Sequence, residues 1–180
     1  MIILLGEPVD TVDKLLGLGG SAYLQVIHSL KTGSPPRCDL DKERDLHNAL
    51  RGFIECGLIK SAHDCSEGGL AVALAESCIS QQIARETPRL IGANVDLSYA
   101  GSIAAAPLLF GETQSRVIIS VAPMDAVKVV ERAKILGLSA ARLGTVGGNE
   151  LTVKTTAAEF KWPLNELYDG WWNSIARAMG

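Results

Sequence analysis

Apolar and polar positions alternate along the chain in blocks that predict alternating strands and helices. Ile2-Ile3-Leu4-Leu5 is a short apolar run stopped by Gly6, the pattern of a buried strand. A loop with Pro8 and the glycine-rich stretch Leu16-Gly17-Leu18-Gly19-Gly20-Ser21 follows. Ala22 to Leu30 predicts a short helix, which Thr32-Gly33-Ser34-Pro35-Pro36 ends. Asp39 or Asp41 can cap the next helix, placing a carboxylate where helix amides lack partners. Its apolar face is Leu46, Leu50, Phe53 and Ile54, and Gly57 stops it. Leu58 to Ala62 predicts a strand that runs into His63-Asp64-Cys65-Ser66-Glu67-Gly68-Gly69. A helix then begins with Leu70, Leu74 and Cys78 on one face, Ala71 and Ala75 beside them.

The second half continues the alternation. Ile91 to Leu97 predicts a strand, and the segment from Ser98 to Ser115 has no clear period. Arg116 to Val121 is a strand by its β-branched run. Met124 to Leu136 predicts a helix with Val127, Val130 and Ala133 inward. Ala141 to Val146, the turn Gly147-Gly148-Asn149, and Leu151 to Thr155 predict a hairpin. Pro163 can open the last helix, where Leu164, Leu167, Trp171, Ile175 and Met179 line one side. For the pair Trp171-Trp172 the expectation is one ring in the core and the other half exposed. The expected architecture is a single domain over residues 1–180 of the α/β (α+β) class, a mixed β-sheet with helices packed on it.

Composition narrows the function. With 47% hydrophobic and 21% charged residues among 180, the chain folds into a globule. The mean hydropathy of +0.19 is high for a domain without partners, and no apolar run reaches the ~18 residues needed to span a bilayer. The surplus points to a surface buried against another domain. A net charge of −3, without a Lys/Arg block, argues against nucleic-acid binding. Cys38, Cys56, Cys65 and Cys78 form no CxxC pair and read as reduced thiols of a cytoplasmic protein. The first residues lack the basic region of a signal peptide. A strand at the first residue suggests that the chain begins at a domain boundary.

Three segments can carry chemistry. In His63 to Gly69, between a strand and a helix, Asp64 can hold Mg²⁺ and Ser66 can donate to phosphate. The amides of Gly68 and Gly69 can meet an anion. The same residues also serve as ordinary caps and turns, so both readings stand. Gly19-Gly20-Ser21 forms a second glycine-rich turn before a helix, without the Lys of a phosphate-binding P-loop. Glu112-Thr113-Gln114, ahead of a strong strand, offers donors and acceptors to a polar ligand or to solvent. His28, His47 and His63 show no metal-site spacing, and no nucleophile motif is present.

The strings LGGSAYL, KTGSPP, SAHDCSEGGLAVALAE, FGETQSRVIISV and LGTVGG occur in that order between about Gly17 and Trp172. Together they resemble the C-terminal domain of the phosphoribosylformylglycinamidine synthases. That family belongs to a superfamily with aminoimidazole ribonucleotide synthetase, thiamine-monophosphate kinase, selenophosphate synthetase and a hydrogenase maturation protein. Cys65 and Ala22 depart from the commoner pattern, which has an aliphatic and an acidic residue there. The resemblance implies an ATP-dependent ligase that turns a formylglycinamide ribonucleotide amide into an amidine with glutamine-derived ammonia. It implies two pairs of A-type and B-type domains, this chain being similar to the last B-type domain, inactive alone. The catalytic histidine and most ATP ligands would lie in the earlier domains, so no catalytic residue is assigned here.

By pseudo-symmetry, the resemblance implies that Asp64 is a metal ligand. It implies that Glu112, Thr113 and Gln114 match a substrate-contacting loop; with Gly19, Gly20, Ser21, Ser66, Gly68 and Gly69 from the turns above, they are the residues expected to line an auxiliary Mg²⁺–ATP/ADP site. The implied partners are sister domains, a glutaminase and a small-molecule nucleotide, with neither nucleic acid nor membrane. The alternatives are another superfamily enzyme, such as aminoimidazole ribonucleotide synthetase, or a non-catalytic docking module.

Overall fold

The computed structural model describes residues 1–7, 13–84 and 87–180. The expected loop at Pro8 lies outside them. The strands are β1 (Ile2–Leu5), β2 (Ile59–Asp64), β3 (Gln82–Ala84), β4 (Thr87–Pro88), β5 (Ala93–Asp96), β6 (Val117–Val121), β7 (Ala140–Val146), β8 (Glu150–Lys154) and β9 (Glu159–Pro163). The helices are α1 (Ala22–His28), α2 (Leu40–Glu55), α3 (Gly69–Ile79), α4 (Ala105–Phe110), α5 (Ala126–Ile135), α6 (Leu164–Trp172) and α7 (Ser174–Met179).

Among the described residues, seven strands form one sheet in the order β2-β6-β1-β7-β5-β8-β9, and β3 pairs with β4 apart from it. All neighbours in the large sheet are antiparallel except β5 and β8, which run parallel. Successive side chains on a strand point to opposite faces. Ile2 and Leu4 of β1 therefore join Leu70, Leu74 and Leu108 of α3 and α4 on one side. Ile3 and Leu5 join Leu46, Phe53 and Val129 of α2 and α5 on the other. Helices cover both faces of β1, which explains its unbroken apolar run. The expected mixed sheet with packed helices is present.

Asp39, not Asp41, caps α2, its carboxylate accepting from the amides of Asp41 and Lys42 at 3.1 and 3.2 Å. Ile54 points to solvent, and Ala49 takes its place on the buried face beside Leu46 and Phe53. In α5 the inward face is Ala126, Val129 and Ala133, and Val127 is 56% exposed. Ala133 is buried and Val130 packs against the same core, as expected, so of the expected stripe only Val127 turns to solvent.

The expected hairpin of β7 and β8 does not form. β5 lies between them, antiparallel to β7 and parallel to β8. Gly92, just before β5, sits in the mouth of the 147–149 turn. Its N–H donates to the Gly148 carbonyl at 3.0 Å, and its carbonyl accepts from Gly147 N–H at 2.7 Å. A Cβ on Gly92 would come within 2.5 Å of the Glu150 carbonyl oxygen and 2.7 Å of the Gly147 carbonyl oxygen. Only glycine lets the turn close around an inserted strand.

The C-terminal stripe also breaks. Leu164 is buried and Leu167 packs on the core, but Ile175 is 72% exposed, because the chain leaves the helix at Asn173 between α6 and α7. Neither Trp171 nor Trp172 enters the core, and Trp172 stacks on Tyr168 with ring centroids 5.8 Å apart. β9, which the sequence pattern did not single out, edges the sheet and leads through Pro163 into α6.

Candidate ligand site at one end of the sheet

β2 ends at Asp64, opposite Val117 where β6 begins, so the His63–Gly69 and Gly111–Arg116 segments meet at one end of the sheet. Glu112 joins them. One oxygen of its carboxylate accepts the Gly68 N–H at 2.9 Å and the Ala22 N–H at 2.8 Å. The Glu112 N–H donates to the Gly17 carbonyl at 2.9 Å. A single side chain thus gathers the three segments singled out in the sequence at the starts of α1 and α3.

The same bonds give the glycine-rich turns internal partners. The Gly68 amide bonds Glu112, and the Gly69 amide donates to the Ser66 carbonyl at 3.0 Å. Gly69 has φ +64°, and a Cβ there would fall 2.7 Å from the Gly111 carbonyl oxygen, so it packs the start of α3 against the end of α4. The Gly20 N–H donates to the Thr32 carbonyl at 2.9 Å, and Gly19 lies flush against Ser34. Ser21 is buried and caps α1, accepting from Leu24 N–H at 3.3 Å. In this conformation an internal carboxylate occupies the place where a phosphate at these amides was expected.

Asp64, Ser66, Glu112 and Gln114 line a cavity of about 310 Å³ together with Glu43 and Arg116. Thr113 and Gln114 line a larger, open cleft of about 940 Å³ beside the start of α2. Leu46, Gln114 and Ser115 are common to both. Gly19, Gly20, Ser21, Gly68 and Gly69 line neither. Ser66 donates its hydroxyl proton to the Asp64 carboxylate, and this bond holds the Asp64 carboxyl below its ordinary range. Burial pushes the neighbouring Cys65 thiol up, so it stays protonated. The Ser115 hydroxyl donates to Glu43 at 2.7 Å, and Ser115 adopts a left-handed φ of +57°.

His63 bonds Glu76 at 2.9 Å, tying the edge strand to α3, and His47 lies 3.5 Å from Glu43. Among the described residues, no group of three or more His, Cys, Asp or Glu is placed to hold a metal ion. A divalent cation here would rest on Asp64 and on oxygens that a ligand brings, which fits magnesium's habit of sharing its shell with phosphate and water. No helix of the described residues is long and apolar enough to cross a membrane. The sequence pattern places Arg116 at the start of a strand and not among the residues of the site. Its signal was the two-residue period of the strand that follows, which puts 116 on the same face as buried Ile118.

A mixed sheet covered by helices, with a polar, loop-built cavity at one end, makes this an α/β domain. Residues 1–155 match the family described as AIR synthase related protein, C-terminal domain, and the chain belongs to that family. Subunit PurL of phosphoribosylformylglycinamidine synthase from Anaeromyxobacter dehalogenans is 39% identical over 173 residues, 94% of this chain and 22% of that protein. The PurL subunit of Moorella thermoacetica is 38% identical over 97% of this chain and 22% of its own length. The chain thus spans about a fifth of the curated relatives it matches. Among solved structures, Thermotoga maritima PurL complexed with FGAR superposes with a TM-score of 0.70 at 20% identity, over 93% of this chain and 27% of that one. Hydrogenase maturation protein HypE shares the fold with a TM-score of 0.55 at 16% identity, over 88% of this chain and 51% of that one.

Proposed function

We propose that this chain is the C-terminal domain of a phosphoribosylformylglycinamidine synthase and contributes a Mg²⁺–nucleotide site to it. The synthase is an ATP-dependent carbon–nitrogen ligase. ATP activates the amide oxygen of formylglycinamide ribonucleotide, and ammonia released from glutamine by a glutaminase partner displaces it to give the amidine. The observation that carries this reading is the relationship to PurL subunits at 39% identity over 94% of the chain. Thermotoga maritima PurL, which shares the fold, has been solved complexed with ATP and with ADP.

In this domain Asp64 holds the metal ion together with the nucleotide's phosphate oxygens, and Ser66 orients that carboxylate. The bound ion offsets phosphate charge. Gln114, exposed at the rim shared by the two cavities, offers an amide to the ligand. Glu112 shapes the site by holding the loops in place. The work is that of a cytoplasmic enzyme, and the domain is inactive without its sister domains. Val26, Ile27 and Leu30 at α1 are exposed and fit a surface covered by one of those domains.

Calorimetric titration of Mg·ADP into the longest natural chain carrying this domain tests the reading. Binding that Asp64→Asn weakens at least about 10-fold is expected, since the metal loses its one carboxylate. Equal binding in the variant, or none in the wild type, refutes the site.

A further inference from the structure

α5 packs on the sheet by one face and leaves an apolar ridge on the other. Ala126, Val129 and Ala133 are buried, and Val130 packs beside them. With 3.6 residues per turn, the ridge that points away from that face carries Val127, Lys128, Glu131 and Ile135. Met124 precedes it by one turn, in the tight turn Pro123–Asp125 that leads into the helix. Met124 is 87% exposed, Val127 56% and Ile135 82%. The outer ridge of a helix that meets only water is normally polar, so these three side chains are apolar surface left uncovered. Lys128 and Glu131 are exposed between them. Among the described residues, no ion pair includes either.

The order of these residues selects the partner, because it is complementary to itself. A second α5 laid antiparallel on the first, with a two-fold axis between Val129 and Val130, sets Lys128 of each copy level with Glu131 of the other. The same register sets Met124 of each copy level with Ile135 of the other. Opposite charges then meet twice at the centre, and apolar side chains close both ends. A parallel arrangement would set Lys128 against Lys128 and Glu131 against Glu131, which is repulsive. A purely apolar partner would bury both charges without a counter-charge. We propose that the outer ridge of α5 docks antiparallel on the same ridge of a second copy of this chain. A contact confined to one ten-residue helix per copy is small beside the roughly 1,200 Å² or more that stable complexes bury, so the association is reversible and concentration-dependent. None of the five ridge residues lines either cavity at the end of the sheet, so the inference is independent of the nucleotide reading.

Sedimentation of the full natural chain carrying this domain, over a range of concentrations, tests it. Wild type is expected to pass from monomer to dimer as concentration rises. Glu131→Lys sets lysine against lysine at both central contacts and is expected to raise the dissociation constant at least about 10-fold. The double variant Lys128→Glu/Glu131→Lys exchanges the two charges and is expected to return it to within about 3-fold of wild type. Val127→Asp is expected to leave only monomer, since it places an unpaired carboxylate in the contact. All these side chains are exposed, so each variant is expected to melt within about 3 °C of wild type, which separates lost association from lost folding. A chain that stays monomeric at the highest concentration overturns the inference. So does a dimer that Glu131→Lys leaves intact, or one that the charge exchange does not restore.

Discussion

Glu112 and Gly68, 44 residues apart, are joined by a hydrogen bond of 2.9 Å from the Gly68 amide to the Glu112 carboxylate. The bond places a charge at the start of α3, where helix amides lack partners of their own. Because the same oxygen takes the Ala22 amide at 2.8 Å, truncating the side chain strands two donors at once. Glu112→Ala is expected to destabilise the fold by about 2–4 kcal/mol. Glu112→Gln, which keeps an acceptor oxygen, is expected to lose about 1 kcal/mol or less. Urea unfolding of the two variants measures both, and a loss in Glu112→Ala no larger than that in Glu112→Gln would contradict the role of the acceptor oxygen.

Gly92 marks where β5 enters between β7 and β8. A methyl group there has backbone on three sides, with Glu150, Gly147 and Gly148 atoms at 2.5, 2.7 and 2.8 Å. Gly92→Ala is expected to cost about 2–3 kcal/mol or to displace the turn. Thermal melts report the loss, and amide exchange at β5 locates it. Unchanged stability would mean that the 147–149 turn yields freely.

The Ser66–Asp64 bond has a pH signature. The Asp64 carboxyl is held below its ordinary value of 3.8 by the serine hydroxyl. A carboxylate depressed in the folded state adds stability above its unfolded value, and that stability is lost as pH falls through the folded value. Ser66→Ala should therefore be less stable than wild type near neutrality, and the gap should close in acid. NMR titration of the Asp64 carboxyl is expected to show its value rising in the variant. An unshifted titration would contradict the bond.

The four thiols should divide cleanly. Cys38 and Cys56 are exposed, whereas Cys65 and Cys78 are buried, and burial raises the Cys78 thiol to about 11. At pH 8 only about one in a thousand Cys78 side chains is then thiolate, the reactive form. A disulfide reagent is expected to label two thiols quickly in the native chain and all four after unfolding. Rapid labelling of a third would show that the α3 side of the core opens.

What the sequence revealed follows the range of each interaction. Local signals worked where they were sufficient. The run Ile2–Leu5 was legible as a buried strand, Asp39 as a possible cap, and Gly57 as a stop, since each depends on residues within one turn or strand. Gly147-Gly148-Asn149 has hairpin chemistry, yet the flanking strands pair with β5 from a distant part of the chain, which no local pattern reports. The convergence of the three polar segments was legible only as motifs in one family. That Glu112 would bond the helix amides, and that Arg116 would lie buried with one edge free, depends on how α3, α4 and β6 meet.

Amidine formation by the longest natural chain carrying this domain is the most direct test of the proposed role. The assay supplies formylglycinamide ribonucleotide, Mg·ATP and ammonium, and follows ADP and the amidine product. Stoichiometric ADP and amidine, lost when this domain is removed, is the expected result. ATP cleavage that ignores this substrate, or amidine formation at full rate without the domain, would contradict it.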